Sequence, residues 1–294
     1  MIRYGAVEAG GTKMVLTVCG EDLKPLEKAV LPTEEPGRTL PAMIDFFRDK
    51  GISALGIGSF GPLQLNLAAP DYGSITTTPK LAWRSVPILR AMTDALNVPG
   101  EIDTDVNAAA LAEFELGAAK GLRSCLYVTV GTGIGGGVVC EGQLVHGLLH
   151  PEFGHMLLRP DPADPMPDGV CPYHKGCLEG LASGPAMERR WGESAKTLPE
   201  NHDGWRIEAE YLAQMCANAV CCLSPEKIIL GGGVMQRESL FPLVRQETLR
   251  LLGGYVQSDR LLNHTDEYIV PPALFPVSGL WGSYLLGKKA LENA

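Results

Sequence analysis

Residues 4–18 read YGAVEAGGTKMVLTV and form the most informative stretch of the chain. Two strand-like apolar segments flank the pair Gly10-Gly11, with Glu8 before the glycines and Thr12 and Lys13 after them. Glycine has no Cβ, so backbone N–H groups at such a turn can approach a phosphate closely. In this interpretation Thr12 donates a hydrogen bond to a phosphate oxygen and Glu8 helps to hold Mg²⁺. The alternative is an ordinary hairpin turn.

The pattern differs from the phosphate loop of P-loop enzymes, which needs Gly-Lys followed by Ser or Thr and then a helix. The residues after Lys13 favour a second strand instead. A hairpin built as strand, Gly-Gly-Thr, strand resembles the first phosphate loop of the actin/hexokinase-type ATPase fold.

A second glycine-rich loop, residues 131–137, follows the strand-like stretch 124–130. Its sequence GTGIGGG formally satisfies the dinucleotide-binding pattern G-x-G-x-x-G. That pattern requires a following helix and an acidic residue about 20 positions further on. Val138 and Val139 favour a strand instead, so we exclude a dinucleotide site. A third cluster, residues 231–234, follows a short apolar strand and is either a plain turn or, as we prefer, a contact for adenine or ribose.

Two glycine hairpins about 120 residues apart predict a duplicated α/β fold with a phosphate loop in each half, and the resemblance of the first loop implies the actin/hexokinase type, with two domains around a cleft. We expect residues 1–118 to form an N-terminal domain with the first phosphate loop and residues 119–276 to form a larger domain with the second. The C-terminal segment, about 277–294, is expected to pack back on the first domain. Helices are predicted at 40–49, 86–96, about 107–117, around 186, and at 208–223 and 277–289.

The chain has 294 residues, a formal net charge of −9 and 45% hydrophobic residues. The length is comfortable for two domains. The acidic balance argues against a nucleic-acid partner, which needs a basic face. The sequence contains no run of 18 apolar residues, so we expect no membrane span. We also expect no signal peptide, because Arg3 leads directly into the first strand. Eight cysteines without such a signal favour a reducing compartment, the cytoplasm.

Residues 101–107, EIDTDVN, place carboxylates where a strand ends and a helix begins. An Asp or Asn there could simply cap the helix, but only one cap is needed. A phosphoryl-transfer enzyme needs a carboxylate that accepts the proton of the attacking hydroxyl. Asp105 is the candidate base, and Asn107 is the candidate for orienting that hydroxyl.

Four potential zinc ligands lie in and near a proline-rich loop. Cys171, His174 and Cys177 are spaced at intervals of three, and His155 precedes them. Two histidines and two cysteines would form a closed, structural tetrahedral site. The alternative is two buried thiols and two unrelated histidines. We favour zinc, because a long loop with little core of its own needs a stabilising link.

Taken together, six ordered motifs across nearly the whole chain resemble the ROK family of sugar kinases, and its bacterial fructokinase branch most. The motifs are Glu8–Lys13, Asp103–Asn107, Gly131–Gly137, Pro151–His155, Cys171–Glu179 and Gly231–Val234. The resemblance implies ATP-dependent phosphorylation of the 6-hydroxyl of D-fructose, structural Zn²⁺, Mg²⁺ with ATP, and a homodimer. It makes Asp105 the catalytic base. It implies that sugar hydroxyls contact Asn107, Glu152, His155 and Glu179, and that ATP contacts Glu8, Gly10, Gly11, Thr12, Lys13, Thr132, Gly133, Pro185, Gly232, Gly233, Val234 and Met235.

The sequence departs from the family pattern at two places. Many ROK members carry Asp where Glu8 stands, and many bind zinc through three cysteines. Here Tyr173 occupies the place of the second cysteine, and His174 substitutes for it; the fructokinase branch tolerates both changes. The pocket residues leave open a glucokinase, a mannokinase or an N-acetylmannosamine kinase. A sugar-sensing ROK regulator is disfavoured, because the first phosphate loop begins within ten residues of Met1 and leaves no room for a DNA-binding domain.

Overall fold

The computed structural model describes residues 2–294. Its strands are β1 (Arg3–Ala9), β2 (Lys13–Gly20), β3 (Pro25–Pro32), β4 (Ala54–Ser59), β5 (Gly100–Thr104), β6 (Cys125–Val130), β7 (Ile134–Cys140), β8 (Gln143–Leu144), β9 (Ile228–Gly231) and β10 (Ile269–Val270). Its helices are α1 (Pro36–Phe47), α2 (Ile88–Leu96), α3 (Asp105–Glu115), α4 (Leu178–Ala182), α5 (Gly184–Trp191), α6 (Gly204–Leu223), α7 (Leu240–Leu252), α8 (Asp259–Leu262), α9 (Thr265–Tyr268) and α10 (Ser278–Glu292).

Internal contacts divide the chain into two compact units. The first unit comprises the described residues up to Glu115 together with Leu144–Pro151 and Pro276–Ala294. The second unit comprises Leu116–Gln143 and Glu152–Phe275. The short segment Leu144–Pro151 is therefore part of the first unit, although the chain on both sides of it belongs to the second. The functional division into domains 1–118 and 119–276 stays a prediction.

The first unit is built on a five-stranded sheet in the order β3-β2-β1-β4-β5. The strands β1 and β2 pair antiparallel and form the predicted hairpin, whereas β1, β4 and β5 run parallel. The main core of this unit buries strand side chains such as Leu16 and Ile57 together with Met92 of α2. The parallel strands bring the carboxyl ends of β1, β4 and β5 to the same edge of the sheet.

Helix α10 packs on this unit at a distance that only very small residues permit. A Cβ added to Gly282 would lie 1.8 Å from the carbonyl oxygen of Ala108, and one added to Gly56 would lie 1.8 Å from that of Ser283. The Ser283 hydroxyl accepts a hydrogen bond from the Gly58 N–H and donates one to the Val7 carbonyl. Glycines at these positions thus allow the last helix to lie directly against β4 and α3.

The second unit repeats the hairpin on a sheet of its own, in the order β10-β9-β6-β7-β8. The strands β6 and β7 pair antiparallel around the second glycine loop, and β6, β9 and β10 run parallel. The long helix α6 packs against α4 and α7. Two sheets that each begin with a glycine hairpin and continue with parallel strands match the predicted duplication.

The predicted helices are confirmed with shifted ends. Helix α3 begins two residues before the predicted start at 107, and α6 begins at Gly204 rather than 208. Within residues 2–294, no helix is both long enough and apolar enough to cross a membrane.

Candidate active site

The first phosphate loop is a tight turn whose tip faces solvent. The Gly10 N–H donates a hydrogen bond of 2.9 Å to the Lys13 carbonyl, and the Thr33 hydroxyl donates to the Gly10 carbonyl. A Cβ on Gly10 would lie only 2.9 Å from the Lys13 oxygen. Thr12 and Lys13 are exposed, so a ligand in solution can reach both side chains.

Glu8 lies at the end of β1, half-buried, beside this loop. Burial raises the pKa of its carboxyl, while Lys13 and Lys28 act in the opposite direction. A partly desolvated carboxylate gains from a nearby cation, so the position suits a group that faces a metal–nucleotide complex.

The second phosphate loop is held by a side chain that the sequence did not suggest for this purpose. The Gly131 N–H donates to the Gly133 carbonyl, and Thr132 at the tip is exposed. Glu179, at the start of α4, accepts a hydrogen bond of 2.9 Å from the Ile134 N–H through Oε2. Glu179 therefore supports the loop in addition to its predicted contact with sugar.

A third turn, Gly231–Met235, leads from β9 into a short 3₁₀ segment. Gly232 has φ +90° and lies against the backbone of Val130, a conformation that favours glycine. Gly233 is exposed and Val234 and Met235 are buried. A cavity of about 700 Å³ opens beside the turn, lined by Ala195, Lys196, Glu200, Gly233, Val234, Gln236, Arg237, Glu238 and Ser239. Its size suits a small ligand.

The predicted nucleotide contact Pro185 is exposed in the first turn of α5. Ser183 caps this helix by accepting from the Ala186 N–H. The Gly184 N–H donates to the Gly131 carbonyl at 2.8 Å, which fixes the start of α5 beside the second phosphate loop.

The junction of β5 and α3 assigns the capping role to a residue other than the predicted base. The Thr104 hydroxyl accepts a hydrogen bond of 3.1 Å from the Asn107 N–H, the contact of a helix N-cap. Asp105 is half-buried at the first position of the helix, and its Oδ1 accepts from the Val106 N–H at 2.9 Å. The capping alternative is therefore not needed to explain Asp105 or the side chain of Asn107.

Two residues that sequence reasoning missed lie beside Asn107. The Asp103 carboxylate is buried and accepts from the Asn107 side-chain amide at 2.7 Å. Its other oxygen is 2.8 Å from Nε2 of His146, a half-exposed side chain from the segment Leu144–Pro151. In the same segment, Nε2 of the buried His150 accepts from the Leu63 N–H at 3.2 Å. The histidines themselves were the available signal, because two in five residues is unusual in a chain with six.

Glu152 precedes a 3₁₀ turn, Phe153–His155, of which His155 is the last residue, and both lie in the second unit. A Cβ on Gly154 would lie 2.0 Å from the Ile134 carbonyl oxygen, so this turn lies directly against the second hairpin. Glu152 retains exposed surface, but desolvation by the surrounding protein, and after it the charge of Glu179, raise the pKa of its carboxyl. The carboxyl groups of Glu152 and Glu179 are thus close enough for the charge of one to act on the other.

The four predicted metal ligands come together. The ligand atoms of His155, Cys171, His174 and Cys177 all lie within 4.8 Å of one another. Nδ1 of His155 is 4.0 Å from the Cys171 sulfur and 3.9 Å from the Cys177 sulfur, and Nδ1 of His174 is 3.7 Å from the Cys171 sulfur. Tetrahedral zinc with ordinary bond lengths separates such ligands by about 3.6 Å. The cluster fits a structural Zn²⁺.

A buried ion pair anchors the loop that carries these ligands. Asp164 accepts from Arg190 at 2.8 Å and from the Tyr211 hydroxyl at 2.5 Å. The Asp164 and Arg190 side chains are 0% and 1% exposed, so the pair is fully desolvated. Removing one partner of such a pair leaves an uncompensated buried charge. The loop is thereby fixed to α5 and α6 independently of a metal.

The structure distributes the predicted site residues between the two units. The first unit contains Glu8, Gly10, Gly11, Thr12, Lys13, Asp105 and Asn107. The second unit contains Thr132, Gly133, Glu152, His155, Cys171, His174, Cys177, Glu179, Pro185, Gly232, Gly233, Val234 and Met235.

The sequence profile of the ROK family matches residues 4–289. The chain belongs to the ROK family. A ROK relative from Pediococcus pentosaceus, named fructokinase, is 42% identical over 290 residues, which cover 99% of both chains. The fructokinase of Zymomonas mobilis is 40% identical over 298 residues, covering 99% of this chain and 97% of that protein.

Solved structures agree with this family assignment. The crystal structure of a ROK hexokinase from Thermus thermophilus is 30% identical, covers all of both chains and superposes with a TM-score of 0.80. The resemblance of the sequence to the bacterial fructokinase branch of the ROK family is confirmed, as is the predicted ATPase fold.

Proposed function

We propose that this protein is a fructokinase that transfers the γ-phosphoryl group of ATP to the 6-hydroxyl of D-fructose. The observation that carries the proposal is the identity of 42% and 40% to proteins named fructokinase over nearly the full length of each. The site adds two exposed glycine loops for phosphate and a carboxylate at the start of α3.

In this reaction Asp105 accepts the proton of the 6-hydroxyl as its oxygen attacks the γ-phosphorus. The bond from the γ-phosphorus to the bridging oxygen of ADP breaks, and ADP leaves. Asn107, Glu152, His155 and Glu179 bind other sugar hydroxyls in this proposal. Backbone N–H groups of the two glycine loops, with Thr12 and Thr132, bind phosphate oxygens.

Two metals belong to the proposal. Mg²⁺ would enter with ATP, and Glu8 would be the residue of the first loop that helps to hold it. Zn²⁺ would be held by two thiolates and two imidazoles, a closed set that leaves no position for substrate, and it would supply structure rather than chemistry. Because His155 is both a zinc ligand and a sugar contact here, the metal would also fix the sugar site.

We also propose a cytoplasmic homodimer. All eight cysteines are free thiols in the described structure, which suits a reducing compartment where ATP is available. The dimer follows from the family resemblance alone, and light scattering of the purified protein tests it.

The experiment is an ADP-release assay with ATP and D-fructose, with the product identified by NMR as the 6-phosphate. Asp105→Asn keeps the size of the side chain and removes the proton acceptor. We expect kcat to fall by roughly 10² to 10⁴, with a far smaller change in KM for fructose. The control is Asp94→Asn, an exposed Asp on α2. Normal turnover by the Asp105→Asn variant would remove Asp105 as the base, and absence of any fructose phosphate would overturn the function.

A further inference from the structure

The Asp103 carboxylate is placed to control the orientation of the Asn107 amide. Asp103 is 4% exposed and accepts three hydrogen bonds. Its Oδ1 accepts from the Thr104 N–H at 2.8 Å and from Nδ2 of Asn107 at 2.7 Å, and its Oδ2 pairs with His146. Oδ1 already accepts from the Thr104 N–H, so it meets the Asn107 amide as an acceptor, and Asn107 turns its NH₂ group toward Asp103.

This orientation leaves the Asn107 carbonyl oxygen as a hydrogen-bond acceptor without a partner. Asn107 is 0% exposed, and its Oδ1 has no hydrogen-bond partner among residues 2–294. A buried acceptor without a partner is costly and needs an explanation, such as a ligand that supplies the donor. A sugar hydroxyl is such a donor.

His146 contacts the other carboxylate oxygen of Asp103. Its Nε2 is 2.8 Å from Asp103 Oδ2 and 3.5 Å from Asn107 Nδ2. One ring nitrogen cannot donate to Asp103 and accept from Asn107 at once, and the shorter contact decides for donation to Asp103. His146 thereby occupies the second carboxylate oxygen, so that Oδ1 remains the atom that receives the Asn107 amide.

We propose that Asp103 and His146 are positioning residues that hold the Asn107 carbonyl oxygen ready to accept a hydrogen bond from a hydroxyl group of the sugar. This deepens the proposed function, on which it rests. The pair acts through Asn107 and selects a substrate that carries a hydroxyl donor at this position.

The test is a swap of the donor and the acceptor. In Asp103→Asn, residue 103 can accept or donate, so the Asn107 amide is no longer fixed. In Asn107→Asp, two carboxylates face each other. We expect each single variant to lower kcat/KM for fructose by on the order of tenfold, mainly through KM. The double variant D103N/N107D removes the repulsion between two carboxylates, and it loses the hydrogen bond between residues 103 and 107 only once. We expect its kcat/KM to exceed the product of the two single effects by at least about fivefold.

His146 provides a second, more exposed position for the same test. His146→Gln keeps a donor for Asp103, and His146→Leu removes it. We expect the Leu variant to raise KM for fructose several-fold while the Gln variant recovers most of the affinity, with KM for ATP unchanged in both. The matched control is His264→Leu, because His264 forms an exposed pair with Asp259 in the second unit.

Wild-type kinetics separate this proposal from the proposed function. If the wild type prefers another hexose, the function is wrong in its substrate, and the same variants are compared on that hexose. Equal kcat/KM for the wild type and Asp103→Asn would overturn the positioning role. So would a double variant no better than the product of the single effects, or equal KM values for His146→Leu and His146→Gln.

Discussion

Thr104 takes the capping role at the start of α3, so capping does not explain the side chains of Asp105 and Asn107. A helix needs only one N-cap, so the two further polar residues in this turn call for another explanation. A proton acceptor beside a hydroxyl-orienting amide is what phosphoryl transfer to an alcohol requires. The chemistry proposed here therefore depends on a division of roles among neighbouring residues.

Protonation of the two histidines of Leu144–Pro151 is expected to change the stability of the protein in opposite directions. Burial lowers the pKa of His150 below its ordinary value of 6.5, whereas the hydrogen bond to Asp103 raises the pKa of His146 above it. As the pH falls through 6.5, the unfolded chain binds a proton that the folded His150 resists, so stability is lost. His146 contributes stability below pH 6.5, and that contribution disappears as the pH rises through its folded pKa.

We expect urea midpoints to show this difference. From pH 7.5 to 5.5, His150→Gln should lose less stability than the wild type, because the acid-sensitive group is absent. His146→Gln should be most destabilised relative to the wild type at pH 5.5 and less so at pH 8.5. Parallel curves for all three proteins would contradict these assignments.

The pairing of Asp103 with His146 could not be predicted from the sequence. The two residues are 43 positions apart, and no local pattern links the end of a strand to a loop in a distant part of the chain. The residues Asp105 and Asn107 could be proposed, because the strand-to-helix turn that presents them is local. The double role of Glu179 was equally hidden, since its contact with Ile134 depends on how α4 packs on the second hairpin.

Among the elements, the loop between the turn Phe153–His155 and α4 combines two kinds of support. The buried Asp164–Arg190 pair fixes the part of the loop around Asp164. The His/Cys cluster brings Cys171, His174 and Cys177 close to His155. The Cys177 sulfur also accepts from the Gly180 N–H at 3.4 Å, which links the cluster to the first turn of α4. A structural metal bound there would contribute its binding free energy to the folded state.

The His/Cys cluster is expected to bind zinc in the purified protein. Protein purified without added metal should contain about one zinc per chain by elemental analysis. Cys171→Ser should lose most of that zinc, lower the thermal midpoint and raise KM for fructose, because His155 loses its fixed position. Cys222→Ser, at an exposed thiol outside the cluster, should change none of these. A metal-free preparation that is equally stable and fully active would contradict a structural zinc.

Elements were predicted best where their signals are local. The glycine hairpins followed from short-range sequence patterns, and α10 from its helical pattern. The close packing of α10 through Gly56 and Gly282 could not be predicted, since a glycine in a strand or helix shows no partner until the fold brings the Ala108 and Ser283 carbonyls against it.

The residues proposed to bind sugar and ATP are distributed over the two compact units of the molecule. Glu8, Thr12 and Asp105 belong to the first, while Thr132 and Gly232 belong to the second. Neither unit alone contains every group that the proposed reaction uses.

We expect this ROK protein to phosphorylate fructose in preference to related hexoses. The most direct measurement is kcat/KM with ATP for D-fructose, D-mannose, D-glucose and N-acetylmannosamine, determined by ADP release under one set of conditions. We expect the value for fructose to be the highest by roughly tenfold or more, because a site built to bind particular hydroxyls rejects sugars that place them elsewhere. A higher value for glucose, mannose or N-acetylmannosamine would contradict the assignment.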